Sequence, residues 1–142
     1  SSSAASDVYK RQFLITGDGE LAEGSNWEAA LAAAHYGLDN LIIINDKNNL
    51  QLAGPTREIM NTDPLADKWK AFGMTVTECQ GNDMASVVAT LEGLKQEGKP
   101  NVVIANTTKG AGISFIQGRP EWHHRVPKGE EIALALEELK DE

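Results

Sequence analysis

The chain has 142 residues and a formal net charge of −8 at pH 7. This length allows one domain with a modest hydrophobic core. The acidic balance argues against nucleic acid as a partner, because contacts to phosphates need clustered lysine and arginine. No apolar run approaches the roughly 18 residues of a membrane-spanning helix, and no signal peptide is recognisable. A lone cysteine, Cys79, leaves no internal disulfide, so we expect a cytoplasmic protein.

Residues 1–12 show no apolar periodicity, and we predict that they form an unstructured, non-native leader. A native disordered tail is the alternative interpretation. Reasoning about the fold therefore starts at Phe13, and residues 13–142 are predicted to form one domain. This division sets aside the part of the sequence that carries no pattern of a strand or a helix.

The stretch 13–52 predicts a strand, a glycine turn, a helix, a second strand and a polar loop. The helix is rich in alanine, has Ser25 or Asn26 as its expected N-cap, and ends near Gly37. Residues 41–44 are a continuous apolar run, which is typical of a parallel strand buried on both faces. The pattern predicts a βαβ unit, and in open α/β sheets ligands bind at the carboxyl ends of the strands.

The loops after these two strands are rich in oxygen ligands. Asp18 lies between Gly17 and Gly19, which permit a positive φ and a close approach of the backbone to a ligand. Further oxygens follow the second strand, from Asp46, Asn48 and Asn49. Such groups together with a phosphate suit Mg²⁺ or Ca²⁺. The 28 residues between Gly19 and Asn48 fit one helix and one strand, so adjacent strands would bring Asp18 and Asn48 together.

The remainder of the chain predicts alternating helices and strands. A helix opens at Pro64, and its apolar face is expected in the core: Leu65, Trp69 and Phe72. A strand over 74–79 follows, and Cys79 at its end is expected to be a buried apolar residue. Asn82 or Asp83 is the expected cap of the next helix, whose predicted buried stripe is Val87, Val88, Leu91 and Leu94.

The last predicted elements bring a second glycine-containing loop to the same edge of the sheet. A buried strand over 102–105 leads into the polar loop 107–112. A non-periodic loop over 117–127 then carries His123 and His124. The final helix is predicted over 130–140, with four buried residues: Ile132, Leu134, Leu136 and Leu139. The fold class is α/β, a parallel sheet with helices on both faces.

Four segments of the sequence closely resemble transketolases: GDGELAEGSNWEA, DNLIIINDKNNLQLAGPT, PLADKWKAFG and TTKGAG. Gly17-Asp18-Gly19 with Asn48 at this offset is similar to the thiamine diphosphate binding motif. The closest likeness is to the N-terminal, diphosphate-binding subunit of split transketolases. Family members have a long segment before the first strand, so the resemblance implies a diphosphate-binding domain that is truncated at its N-terminus.

The resemblance implies roles for individual residues. The Mg²⁺ ligands would be the side chains of Asp18 and Asn48 and the backbone carbonyl of Leu50. The catalytic residues would be Glu23, which matches a glutamate that couples two active sites, and His123. The cofactor-binding residues would be Gly17, Asp18, Gly19, Glu20, Asn48, Leu50, Lys109 and His123. His124 stands where the family has glycine.

The resemblance also implies a function and a partner. A transketolase transfers a two-carbon ketol unit between sugar phosphates with thiamine diphosphate and Mg²⁺, as in the pentose phosphate pathway. The pyrimidine-binding domain would come from a C-terminal transketolase subunit, in a homo-oligomer or a heterotetramer, and the isolated chain would be inactive. The alternatives are a deoxyxylulose phosphate synthase, a 2-oxo acid dehydrogenase subunit, or an inactive truncated fragment.

Overall fold

The structure, a computed structural model, describes residues 10–140. Its central sheet has four parallel strands in the order β1-β2-β6-β5. These are β1 (Gln12–Gly17), β2 (Leu41–Lys47), β5 (Thr75–Gln80) and β6 (Asn101–Asn106). A short antiparallel hairpin follows β2 and consists of β3 (Leu50–Gln51) and β4 (Gly54–Pro55). The carboxyl ends of the four long strands therefore share one edge of the sheet.

Five α-helices connect or follow these strands within the described residues: α1 (Gly24–His35), α2 (Thr56–Ile59), α3 (Leu65–Ala71), α4 (Met84–Gly93) and α5 (Glu130–Glu138). Two 3₁₀ turns cover Glu20–Ala22 and Pro120–His123. Helices pack on both faces of the sheet, which confirms the predicted α/β class. Over residues 10–140, none of the helices has the length and apolar character that crossing a membrane requires.

The larger core cluster lies between the sheet and helices α1 and α3. Trp69 is 1% exposed and its ring centroid lies 4.8 Å from that of Trp27. Leu65 is buried and Phe72 packs against the same cluster, so the predicted apolar face of this helix is confirmed. Burying such aromatic rings contributes strongly to the stability of a small domain. This cluster holds α1 against the sheet, directly behind the loop that follows β1.

The opposite face is covered by α4. Val87, Leu91 and Leu94 pack on a cluster that includes Cys79. Burial raises the pKa of the Cys79 thiol, in agreement with the expected role of this residue as a small apolar group. The prediction for Val88 is wrong, because Val88 is 44% exposed. Asp83 is the N-cap, and its carboxylate accepts a hydrogen bond from the backbone N–H of Ala85 at 3.0 Å, as predicted for one of two candidates.

Two further helix predictions need correction. Helix α1 begins at Gly24, not after Ser25 or Asn26, because the 3₁₀ turn runs directly into it. The amide of Asn26 instead donates to the carbonyl of Glu20 at 2.7 Å. The predicted burial of the α5 residues is also wrong: Ile132, Leu134, Leu136 and Leu139 are all exposed, and only Ala135 is buried within this helix. Position 134 does not share a helix face with the other three, and α5 lies outside both core clusters.

Strand β1 is one of the two edge strands of the sheet, and its apolar side chains are exposed. Phe13 and Ile15 face the same side as Ile42 and Ile44 of β2, yet Ile15 is 70% exposed because α4 covers the other end of this face. Gln12 already belongs to β1, although the predicted leader included it. Most of that leader, residues 1–9, lies outside the described residues, so its nature stays a prediction.

Candidate functional site

The register of β1 and β2 brings the two oxygen-rich loops side by side. Gly17 pairs with Asp46 at the end of the two strands. The Asp18 carboxylate accepts a very short hydrogen bond from the backbone N–H of Asn49, which joins the loops. Asn49 adopts a left-handed φ of 60°, a conformation that asparagine tolerates better than most residues. The predicted meeting of Asp18 with the Asn48 loop therefore occurs in the structure.

Asp18 is a buried carboxylate with unused hydrogen-bonding capacity. It is 3% exposed, and its Oδ1 has no hydrogen-bond partner among the described residues. Burial raises the pKa of Asp18, the Asn49 N–H opposes this rise, and the negative charge of Asp46 adds to it. A raised pKa means that the stability contributed by this group is present at low pH and lost as pH rises through the folded-state pKa. Burial and the nearby Asp46 carboxylate thus both disfavour the ionised form of Asp18 in the free chain.

A pocket of about 470 Å³ opens around this carboxylate. Every residue predicted for the site lines it: Gly17, Asp18, Gly19, Glu20, Glu23, Asn48, Leu50, Lys109 and His123. Three more residues complete the wall, namely Asp46, Gln51 and Leu52. Gln51 and Leu52 were not among the predicted site residues. The only signal for them in the sequence was their position shortly after Asn48. In the structure, a short hairpin folds both residues back over the pocket.

Neither of the two glycines beside Asp18 uses a positive φ, and only Gly19 is closely packed. Gly19 has a φ of −66°, and the φ of Gly17 is not positive either. A Cβ on Gly19 would lie 2.9 Å from the Cβ of Gln51, whereas a Cβ on Gly17 would meet nothing within 4 Å. Gly19 therefore allows the hairpin to approach the turn after β1.

The side chain of Asn48 is held at both ends. Its Nδ2 donates to Asp46 Oδ2 at 3.4 Å, and its Oδ1 accepts from the backbone N–H of Leu50 at 2.9 Å. Thr107 donates a very short hydrogen bond to Asp46 Oδ1. Leu50 pairs with Pro55, which has no N–H to give to the Leu50 carbonyl. Two of the three groups that the resemblance assigns to the metal, the Asn48 amide and the Leu50 carbonyl, thus lie in a defined local structure.

Two cationic or titratable groups face the carboxylates across the pocket. Lys109 Nζ lies 3.4 Å from His123 Nδ1. The pKa of His123 is lowered, first by desolvation and then by the charges of Lys109 and His124. The 3₁₀ turn that carries His123 is anchored by buried Trp122, which packs edge-on against Phe115 at 5.3 Å. An anion bound between Lys109 and His123 would relieve this repulsion.

The two glutamates at the mouth of the pocket differ in their contacts. Glu20 Oε2 accepts a hydrogen bond from the backbone N–H of Gly17 at 3.3 Å. Glu23 is exposed and is the N-cap residue of α1. Both residues therefore line the pocket as predicted, while their predicted roles with the cofactor and in catalysis stay predictions.

The donor set fits a hard cation that shares its coordination with a phosphate. Among residues 10–140 no group of three His, Cys, Asp or Glu side chains could hold a metal ion. One buried carboxylate oxygen without a partner, one amide oxygen and one backbone carbonyl are present instead, at Asp18, Asn48 and Leu50. Mg²⁺ prefers this kind of incomplete oxygen shell, which phosphate oxygens and water then complete.

Comparisons with known proteins agree with this geometry. The family described as "Transketolase, thiamine diphosphate binding domain" matches residues 3–140. The chain therefore belongs to the family of the transketolase thiamine diphosphate binding domain. It is 74% identical over 133 residues to a protein from Actinobacillus succinogenes that is named as one subunit of an apulose-4-phosphate transketolase, covering 94% of this chain and 48% of that protein.

More distant relatives extend the same likeness. A protein of the same name from Phocaeicola vulgatus is 40% identical over 92% of this chain and 47% of its own length. The chain thus spans about half the length of the curated relatives it matches. The crystal structure of transketolase from Campylobacter jejuni superposes with a TM-score of 0.84 and 30% identity, over 90% of this chain and 20% of that one. The α/β fold predicted from the sequence is therefore the transketolase fold.

Proposed function

We propose that this chain anchors thiamine diphosphate and Mg²⁺ for ketol transfer, as part of the N-terminal subunit of a split transketolase. The buried Asp18 Oδ1 without a partner is the observation that carries the proposal. A buried, charged oxygen without a hydrogen bond destabilises a fold unless a ligand satisfies it. A divalent cation bound by Asp18 would remove this cost, and the position of Asp18 in the motif shared with transketolases supports a cation that also binds the diphosphate.

Each polar group of the pocket has a task in this proposal. Asp18, Asn48 and the carbonyl of Leu50 hold the Mg²⁺. The backbone N–H of Gly19, together with Lys109 and His123, binds the diphosphate oxygens, which charge-assisted hydrogen bonds favour. When bound, thiamine diphosphate supplies the nucleophilic carbon that carries a two-carbon unit from a ketose to an aldose. The chain's own contribution is to fix the metal and diphosphate in a partly enclosed site.

Catalysis further requires a partner in this proposal. The two named relatives are each called one subunit of a transketolase, which implies a second subunit in those enzymes. We infer a C-terminal subunit that brings the pyrimidine-binding domain, in an oligomer to which Glu23 contributes at the contact between sites. The identity of 74% favours a substrate of the same class as that relative's, apulose 4-phosphate or a similar sugar phosphate. The family match favours transketolase over the two other thiamine diphosphate enzymes considered from sequence.

An assay with and without the partner tests this proposal. The chain is incubated with thiamine diphosphate, Mg²⁺ and a panel of sugar phosphates that includes apulose 4-phosphate, alone or with a pyrimidine-binding transketolase subunit. We expect turnover only with the partner, and only when both cofactor and Mg²⁺ are present. Turnover by the chain alone would overturn the partner requirement. Full activity of the pair in the presence of a metal chelator would overturn the Mg²⁺ assignment.

A variant of Glu23 separates binding from turnover in the same assay. Glu23→Gln keeps the length of the side chain and removes its charge. We expect turnover of the assembled enzyme to fall by about tenfold or more, while thiamine diphosphate binding to the chain changes little, because Glu23 lies at the exposed mouth of the pocket, away from the proposed metal ligands. Glu28→Gln, at an exposed position further along α1, is the matched control and should leave both properties unchanged.

A further inference from the structure

We propose that Thr107 is a positioning residue for the metal site, acting through Asp46 on the amide of Asn48. The inference rests on the proposed function and adds residues that the thiamine diphosphate motif does not contain. Thr107 lies directly after β6, whereas the motif residues follow β1 and β2. Its hydroxyl donates to Asp46 Oδ1, and Asp46 Oδ2 accepts from Asn48 Nδ2 at 3.4 Å. These contacts form a chain across three loops at one edge of the sheet.

The chain of hydrogen bonds decides which end of Asn48 is available to a cation. An amide can ligate a cation only through its oxygen. Because the nitrogen of Asn48 is bound to Asp46, the oxygen occupies the other position, where it accepts from Leu50 N–H and retains a second lone pair. The Leu50 N–H by itself already favours this orientation of the amide, and Asp46 adds a second contact that holds the amide nitrogen away from the metal.

Asp46 is suited to orient Asn48 because both of its carboxylate oxygens have hydrogen-bond donors. Oδ1 faces Thr107 and Oδ2 faces Asn48. Asp18, in contrast, has one oxygen without a partner among the described residues. The two carboxylates are close enough for the charge of Asp46 to raise the pKa of Asp18. Asp18 is therefore free to bind the cation through one oxygen, whereas Asp46 holds the Asn48 amide in position.

The rotamer of Thr107 is fixed by its surroundings. The backbone N–H of Thr107 donates to the carbonyl of Lys47 at 3.0 Å, which extends the pairing of β6 with β2 by one bond. The methyl group lies against Gly81, where a Cβ would come within 2.4 Å of Thr107 Cγ2. The methyl and the hydroxyl share one Cβ, so fixing the methyl also fixes the direction of the hydroxyl. Gly81 thus supports the contact of Thr107 with Asp46.

Mg²⁺ affinity in the presence of thiamine diphosphate tests this assignment without any assay of activity. Thr107→Val removes the hydroxyl and keeps the shape, and Thr107→Ser keeps the hydroxyl. We expect Thr107→Val to bind Mg²⁺ about 10–100-fold more weakly, the usual loss when a group that orients a metal ligand is removed. Thr107→Ser should remain close to wild type. Thr75→Val, exposed at the amino end of β5, is the control and should bind as wild type does.

A second variant keeps the test informative if Thr107→Val fails to fold. Asp46→Asn retains an oxygen for the Thr107 hydroxyl but replaces the other acceptor with an amide nitrogen, which repels Asn48 Nδ2. It should weaken Mg²⁺ binding to a similar extent. The double variant should lose little more than either single variant, because both break one chain of contacts. Additive losses would overturn the coupling.

The outcomes separate this inference from the proposed function. Mg²⁺-dependent cofactor binding in the wild type with an unchanged affinity in folded Thr107→Val would overturn the role of Thr107 alone. Thr107→Ser as weak as Thr107→Val would also overturn it, since the hydroxyl would then not matter. Absence of Mg²⁺-dependent binding in the wild type would overturn the proposed function itself and, with it, this inference.

Discussion

Two polar pockets lie at the same edge of the sheet, and among the described residues only one of the two contains buried polar atoms without a hydrogen-bond partner. The cofactor pocket surrounds the loops after β1 and β2. The second, which we call the β5–β6 pocket, is lined by Gln80, Asn82, Asp83, Asn106, Thr107 and Thr108. The two have similar volumes, about 470 and 510 Å³. Size and polar composition therefore do not distinguish a ligand-binding pocket from a pocket formed by ordinary connecting loops.

The hydrogen bonds do distinguish the two pockets. In the β5–β6 pocket, Asn82 Oδ1 accepts from the backbone N–H of Thr108 at 2.6 Å, and Asn106 Nδ2 donates to Glu78 at 3.3 Å. In the cofactor pocket, Asp18 Oδ1 and Gln51 Nε2 are buried without a partner among residues 10–140. Buried polar groups are almost always satisfied in folded proteins. Asn82 and Asn106 thus connect neighbouring segments of the fold, whereas Asp18 and Gln51 each have a polar atom available for a ligand.

The largest effect on stability is expected from Gly81, which follows β5 directly and lies next to the β5–β6 pocket. Gly81→Ala places a Cβ 2.4 Å from Thr107 Cγ2 and 3.0 Å from Ala105 Cβ, so it should lower the free energy of unfolding by about 1–3 kcal/mol. Gly93→Ala is the control, because the new Cβ meets nothing within 4 Å. Alanine is also the better residue at this helical position, so no loss of stability is expected. Urea unfolding measures both, and equal stability of Gly81→Ala and the wild type would contradict the packing described.

An added methyl group in the cofactor pocket should act on binding more than on stability. Gly19→Ala forces Gln51 away from a position 2.9 Å from the new Cβ. We expect thiamine diphosphate to bind about tenfold more weakly, equivalent to about 1.4 kcal/mol. Gly24→Ala, where a Cβ meets nothing within 4 Å, is the matched control. Equal affinities of the two variants for the cofactor, measured by calorimetry, would show that the approach of the hairpin is not needed.

Removing a satisfied carboxylate from the β5–β6 pocket should affect only the fold. Asp83→Ala loses the N-cap hydrogen bond to Ala85 and should cost about 1 kcal/mol of stability. Asp83→Asn keeps an oxygen acceptor and should cost much less. Neither variant should change cofactor affinity. A loss of cofactor binding in Asp83→Asn would contradict the distinction between the pockets.

The two pKa shifts of the cofactor pocket predict a moderate pH dependence of binding. Mg²⁺ needs ionised Asp18, whose pKa is raised, so cofactor affinity should fall as pH decreases through that pKa. The diphosphate favours protonated His123, whose pKa is lowered in the free chain and would rise on binding, so affinity should also fall as pH rises from the pKa of the free chain to that of the bound state. His123→Gln should abolish only the second change, and the same pH series on this variant accounts for titration of the ligand itself.

The sequence was most informative where physical constraints are local. Apolar runs located all four long strands to within three residues, and the offset from Gly19 to Asn48 placed two loops side by side. It was least informative for burial that depends on neighbours. The exposed residues of α5, and Val88 on α4, carry the apolar pattern of a core, but no element of the described chain covers them.

The site itself was predicted only in part. Four of its predicted residues came from the motif, and the other five came from the wider resemblance to transketolases: Glu20, Glu23, Leu50, Lys109 and His123. Gln51 and Thr107 could not be predicted in the same way. Gln51 reaches the pocket through a hairpin of only two residues per strand, and Thr107 acts across the sheet on Asp46. Contacts of this kind depend on tertiary packing, which periodicity does not report.

Calorimetric titration of thiamine diphosphate into the chain, with and without Mg²⁺, tests the central claim most directly. We expect binding by the wild type only with Mg²⁺, and no detectable binding by Asp18→Asn. That variant should also melt at a higher temperature than the metal-free wild type at pH 7, because it removes a charge that burial disfavours, and this confirms that it is folded. Binding of Mg²⁺ and cofactor by Asp18→Asn as tight as by the wild type would contradict the account.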